Sequence, residues 1–202
     1  MRGISLICIA ACWACAALSA GELDRANELF YDGKFAEAAE SYGRILESEP
    51  ESAEARYRMV LSLVAQEKTE EAAETLAAAP EQESPPALQY LAQAHVAMAQ
   101  DDTAKAAQAV ERAAAMSPDE PQLAFTRGKL DVYRKRYAEA ARDLDKAIEL
   151  EKRNAYAHYY AGIAYSNLKR PDKMVNHFQY FLKLAPQSAE ARKVQSLLRT
   201  VR

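Results

Sequence analysis

The stretch Tyr31 to Leu46, YDGKFAEAAESYGRIL, reads as the end of one helix, a tight turn at Asp32-Gly33, and the start of a second helix. Its surroundings are alanine-rich and mixed with Glu, Lys, Arg and Gln, side chains that lose little rotamer freedom in a helix. At steps of 34 residues from this stretch, the same kinds of residue return. Ala38 opens the row Ala38, Ala72, Ala106, Ala140, Met174, and Tyr42 opens the row Tyr42, Leu76, Val110, Leu144, Phe178. Upstream, Ala26 opens a row of small residues, Ala26, Val60, Ala94, Gly128, Gly162, while Pro50, Pro118 and Pro186 are each 68 apart, twice the step.

Such rows fit a unit of two antiparallel helices, in which small residues on the first let the second approach with its larger apolar side chain. One helix pair cannot bury its own apolar face, so neighbours must stack to complete a continuous core. The period predicts five units, about 19–52, 53–86, 87–120, 121–154 and 155–188, with residues 189–202 as a capping helix. In that cap Ala191, Val194, Leu197 and Leu198 share helical spacing, and Arg192, Lys193 and Arg199 turn to water. The second unit breaks early: Pro80, Pro85 and Pro86 end its second helix near Ala79 and leave a loop. In the fourth unit Asp131 stands where an apolar residue is expected.

The 34-residue helix-turn-helix period, with Gly162-x2-Tyr165, Phe178 and Pro186 in the fifth unit and Ala26, Leu29, Gly33, Phe35, Ala38, Tyr42 and Pro50 in the first, resembles the tetratricopeptide repeat. The resemblance covers about residues 19 to 188. It implies an all-α fold, a right-handed superhelical solenoid of about five repeats, whose first helices line a concave groove used for a partner peptide or helix. Carried over by the 34-residue step, the groove positions are Asn27, Leu61, His95, Lys129 and Ile163, with Tyr57, Phe125, Tyr133, Tyr156, Tyr160 and Asn167 in adjacent rows. From these, the partner-binding residues expected are Asn27, Tyr57, His95, Phe125, Lys129, Tyr133, Tyr156, Tyr160 and Asn167. Tyr159 and Tyr165 are expected in the core. The clamp with which some relatives hold a chaperone's carboxyl terminus is not matched, since Leu23 precedes Asn27 and Leu88, Leu91 and Ala92 are apolar.

Residues 1–20 differ from the rest. Arg2 is followed by an apolar run from Ile4 to Leu18, then Ser19, Ala20 and the first acid, Glu22. This is the layout of a secretory signal peptide cleaved near Ala20. Two alternatives stand beside it: lipidation at Cys12, because Ile9-Ala10-Ala11-Cys12 resembles a bacterial lipobox, and retention as an anchor, for which the run is at the short limit of about 17 residues. The C-x-x-C at Cys12 to Cys15 lies inside this apolar run and is not read as a redox or metal site.

Charge divides the chain. Gly21 to Glu120 holds 8 basic and 21 acidic residues, whereas Pro121 to Arg202 holds 17 basic and 8 acidic, which predicts a molecule polar along its length. The modest basic excess and the export signal argue against nucleic acid. The only histidines are His95, His158 and His177, and no nucleophile-elbow, zinc-protease or phosphate-loop motif occurs, so no catalytic site, metal or cofactor is expected. The reading is an exported bacterial scaffold or adaptor, periplasmic or secreted, that binds a protein or peptide. It would meet a membrane only through lipidated Cys12 or a retained signal. The alternative is a lipid-anchored structural subunit of a secretion or pilus assembly machine.

Overall fold

The computed structural model describes residues 21–200. Among them the chain forms eleven α-helices and no strand: α1 (21–31), α2 (Phe35–Ser48), α3 (Ala53–Ala65), α4 (Thr69–Ala77), α5 (Ala87–Ala99), α6 (Thr103–Met116), α7 (Pro121–Tyr133), α8 (Tyr137–Leu150), α9 (Ala155–Asn167), α10 (Pro171–Leu184) and α11 (Ala191–Thr200). The leader expected at residues 1–20, with Cys12, lies outside the described residues. Helices α1 to α10 form five successive helix-turn-helix units, and α11 packs on α10.

The turn inside each unit is built the same way. Gly33, Glu67, Asp101, Lys135 and Lys169, one per unit and 34 apart, all have φ between 56° and 72°. The next residue's N–H then reaches back to the carbonyl five positions earlier, as in Lys34 to Leu29 at 2.9 Å and Arg170 to Tyr165 at 3.0 Å, so an otherwise unmatched helix-end carbonyl is paired. The left-handed conformation is strained for residues with a Cβ, and four of the five turns carry one. Only the first has glycine.

Small and large rows meet as the period requires. A Cβ added to Gly128 would lie 2.6 Å from Leu144 Cγ, and one added to Gly162 would lie 2.5 Å from the Phe178 ring. Ala26, Val60 and Ala94 are fully buried, as are Tyr42, Leu144 and Phe178. First helices are started by side chains where they can be: Ser52 and Asn154 each accept from the backbone N–H three residues on. Helix α4 stops at Ala77, and an irregular segment runs to Pro86, where α5 begins. Asp131 is buried in place of the usual apolar residue and accepts a hydrogen bond from Arg136, so the register passes through it unbroken. On α11, Ala191 and Val194 are buried, but Leu197 is exposed because it lies off the face that Ala191, Val194 and Leu198 share.

The array curls until its first turn meets its last helix. Gly33 packs on Ala185 at the end of α10, and a Cβ there would lie 3.1 Å from the Ala185 Cα and 3.2 Å from the Leu184 carbonyl oxygen, so glycine answers both the φ of +72° and the close approach. The Phe35 ring lies 5.6 Å from that of Tyr156 on α9. Beside them Arg58 Nη2 donates to Glu151 at 2.6 Å, the Tyr31 hydroxyl donates to the same carboxylate oxygen at 2.5 Å, and Arg153 bonds Glu28 at 2.8 Å and Asp32 at 3.0 Å. This seam joins the acidic first helix to the basic half of the chain. Charge is therefore partly folded together rather than spread along an axis, and the expected concave groove narrows to a chamber.

Candidate functional site: an aromatic chamber around Lys129

The first helix of each unit faces inward, so α1, α3, α5, α7 and α9 supply the chamber walls. It has a volume of about 290 Å³ and is lined by Phe30, Leu61, His95, Phe125, Lys129, Tyr133, Tyr156 and Tyr160, with Glu67 and Glu190 at its edges. A larger cleft of about 980 Å³ runs along the seam beside Asp32, Lys34 and Arg153, but it is open to solvent and, among the described residues, holds no buried polar group lacking a partner.

At the chamber floor lies Lys129, 5% exposed. Its Nζ is 3.3 Å from His95 Nδ1 and 5.4 Å from the centre of the Tyr160 ring, and no carboxylate comes within 4.0 Å of it among the described residues. Burial pushes its pKa down from 10.5 to about 8, against a weaker opposing pull from the Glu190 carboxylate. The hydrogen-bond network assigns the neighbouring tautomer. Thr126 has one hydroxyl proton, which it donates to the Gln122 carbonyl at 3.0 Å, so at 3.1 Å it accepts from His95 Nε2–H. That leaves Nδ1 as a bare acceptor for the Lys129 ammonium. Burial first, and Lys129 second, hold the His95 pKa well below its usual value, so His95 is neutral.

Aromatic rings fix this floor from all sides. His95 stacks on Phe125 with centroids 5.4 Å apart and meets the edge of Tyr57 at 5.9 Å. Tyr160 contacts Tyr133 at 6.4 Å and Tyr156 at 6.3 Å. The Tyr156 hydroxyl donates to Glu190 at 2.9 Å, so the turn before α11 closes one end of the chamber. Tyr133 stands at the rim, 38% exposed.

Of the nine positions read from the sequence, His95, Phe125, Lys129, Tyr133, Tyr156 and Tyr160 come together here. The other three do not line the chamber. Tyr57 is buried behind His95, Asn27 accepts from the Tyr42 hydroxyl at 2.7 Å, and Asn167 is exposed and donates to the Ile163 carbonyl of its own helix. Tyr159 and Tyr165 are buried in the core. Sequence reasoning missed Phe30, Glu67 and Glu190. Glu190 is the only acid after Asp172, a signal that was available, but its place depends on how α11 docks. The arrangement offers apolar and aromatic contact with one cation set in it.

Profiles described as tetratricopeptide repeat match residues 29–95, and 91–130 with 125–189. No protein of curated function matches the sequence significantly. Among solved structures, the chain is similar to the APC/C hetero-tetramer Cut9-Hcn1 (18% identity, TM-score 0.64), covering 91% of this chain but only 36% of that one. It is also similar to TTC0263, a thermophilic repeat protein of Thermus thermophilus (16% identity, TM-score 0.56, 91% and 98% covered). A third likeness is to pilF of Pseudomonas aeruginosa (16% identity, TM-score 0.50, 89% and 97% covered). At these identities the likeness is one of fold.

Proposed function

Because the chain belongs to the tetratricopeptide repeat family, we propose that it is a non-catalytic protein-interaction scaffold of a bacterial cell envelope that holds a segment of a partner protein at the Lys129 chamber. The observation that carries this reading is the floor itself: an ammonium 95% buried, with no carboxylate within 4.0 Å among the described residues, beneath aromatic walls. Burying an unpaired charge is costly, so a lysine kept there contributes something other than stability. A partner segment with an apolar or aromatic side chain would use the ring faces, and an acceptor on it would complete the ammonium's hydrogen bonds. An envelope location follows from reading residues 1–20 as an export signal, so the scaffold is periplasmic or secreted in this account.

Two measurements test the proposal. A photoreactive residue placed at Tyr133 in intact cells should crosslink a discrete protein, and Lys129→Met should lose that product while the chain stays helical. Crosslinking that survives Lys129→Met with Tyr160→Ala would exclude the chamber as the binding place. Mass spectrometry of the mature chain should find a start near Ala20 or Gly21; an acylated Cys12 would move the protein to the membrane surface.

A further inference from the structure

On the face of the last unit away from the chamber, two histidines converge. His158 on α9 and His177 on α10 bring their Nδ1 atoms to 3.2 Å, with ring centroids 5.4 Å apart. His158 is buried, 5% exposed, and the His177 side chain is 15% exposed. Each ring is backed by a tyrosine: Tyr180 stacks on His158 at 5.1 Å, and Tyr165 stacks on His177 at 5.4 Å with planes 5° apart.

The far nitrogens say where the protons are. His158 Nε2 is 3.3 Å from the Lys152 carbonyl oxygen, which can only accept, so its proton sits there and its Nδ1 is a bare acceptor; His177 Nε2 lies 3.7 Å from Asp145 Oδ1, beyond hydrogen-bond distance. With no ion bound, His177 Nδ1–H donates to His158 Nδ1 at 3.2 Å; moving the His177 proton to Nε2, on the Asp145 side, turns both Nδ1 lone pairs toward one ion. Asp145 is itself held by the Tyr165 hydroxyl at 2.5 Å, with Lys173 3.8 Å away.

We propose that His158 and His177 form a two-imidazole site for a borderline divalent transition-metal ion of the Zn²⁺ class. An ion about 2.0–2.1 Å from each nitrogen would span the 3.2 Å separation with an N–ion–N angle of roughly 100°, close to tetrahedral. A ligating histidine characteristically donates its other N–H to a backbone carbonyl or a carboxylate, which fixes the tautomer and raises ligand basicity. The Lys152 carbonyl occupies one of those places, and Asp145, 3.7 Å from His177 Nε2, stands on the side of the other. Asp145 also offsets the Lys173 ammonium, which otherwise opposes a second cation nearby. Among the described residues no group of three or more His, Cys, Asp or Glu is placed to hold a metal. The site is therefore open: water or a donor from a bound protein fills the other positions through the partly exposed His177 edge. Imidazole ligands favour Zn²⁺, Cu²⁺ and Ni²⁺ over Mg²⁺ and Ca²⁺, so the latter pair should not compete.

The test uses the tag-free full chain with Cys8→Ser, Cys12→Ser and Cys15→Ser, so that leader thiols bind nothing. Titration with ZnCl₂ by calorimetry should find one ion per chain. His177→Ala and His158→Gln should abolish binding, and Asp145→Asn, a positioning change, should weaken it by about 10- to 100-fold. In ¹⁵N spectra of the imidazoles, Zn²⁺ should move both Nδ1 resonances and leave both Nε2 atoms protonated. Absence of saturable binding, binding that persists in His177→Ala, or an Nδ1–H to Nδ1 hydrogen bond that Zn²⁺ does not displace would each overturn the site. Because His177 is partly exposed and lies away from the chamber, its substitution tests the site even if the His158 variant fails to fold.

Discussion

Arg58 and Lys129 are both cations on inward-facing first helices, and both are about 95% buried, yet their surroundings are opposite. Arg58 touches the Glu151 carboxylate and the Tyr31 hydroxyl and lies over the Phe30 and Tyr31 rings, each 5.2 Å away. Burial works against its charge, but Glu151 and Tyr31 more than compensate and hold its pKa above the usual value. Lys129 has a neutral imidazole and an aromatic face, and its pKa falls. One charge joins the two ends of the array. The other has no carboxylate within 4.0 Å among the described residues, and under the proposed function it is the one that meets the partner.

Removing Arg58 should have the largest effect. Arg58→Met takes the cation from Glu151, which keeps only the Tyr31 and Asn154 hydrogen bonds, and should cost up to about 3–5 kcal/mol in denaturant unfolding, the range for breaking one side of a buried pair. Lys129→Met should act in the opposite direction. It removes an unpaired buried charge at similar length, and the depression from 10.5 to about 8 corresponds to roughly 3 kcal/mol at neutral pH as an upper figure. A gain of about 1–3 kcal/mol, read as a melting temperature several degrees higher, is the expected result. The pH dependence has a definite sign. Between pH 8 and 10.5 the unfolded chain binds more protons at this lysine than the folded one, so the penalty is full below about pH 8 and shrinks as pH rises. The advantage of Lys129→Met over the parent should therefore narrow from pH 7 to pH 9.5. A gap that widens would contradict the buried-charge account.

Gly33→Ala probes the seam through the backbone. The added methyl meets Ala185 and is strained at φ +72°, so a loss of about 1–2 kcal/mol is expected, with the contact between the first and last units loosened. Crosslinking efficiency between engineered cysteines at Lys34 and Gln187 would report that loosening. Arg153→Ala should do least, below about 1 kcal/mol, because its bonds to Glu28 and Asp32 lie among side chains 44% to 62% exposed. Its effect should vanish in high salt, whereas that of Arg58→Met should persist.

The sequence carries the fold wherever a residue type repeats every 34 positions. The rows from Ala26 and Tyr42 predict which helices touch, and Gly128 against Leu144 and Gly162 against Phe178 show why one row must be small. The loop before Pro86 follows from proline alone, and helical spacing places Ala191 and Val194 of α11 inside without separating them from the exposed Leu197. Closure was not legible, because it sums small rotations between units that no single residue announces. The row through Asn27, His95 and Lys129 marked positions but not burial, which closure decides. The histidine pair was hidden for a different reason. His158 and His177 are 19 apart, off the 34-residue ruler, and meet because antiparallel helices bring residues before and after the Lys169 turn opposite one another.

Under the proposed function Lys129 is kept for binding although it lowers stability. The most direct test is the affinity of the crosslinked partner's segment for the parent chain and for Lys129→Met, measured in the same buffer. The account predicts binding at least about tenfold weaker, some 1.4 kcal/mol, in the variant that melts at the higher temperature. Equal affinity for the two chains would contradict it.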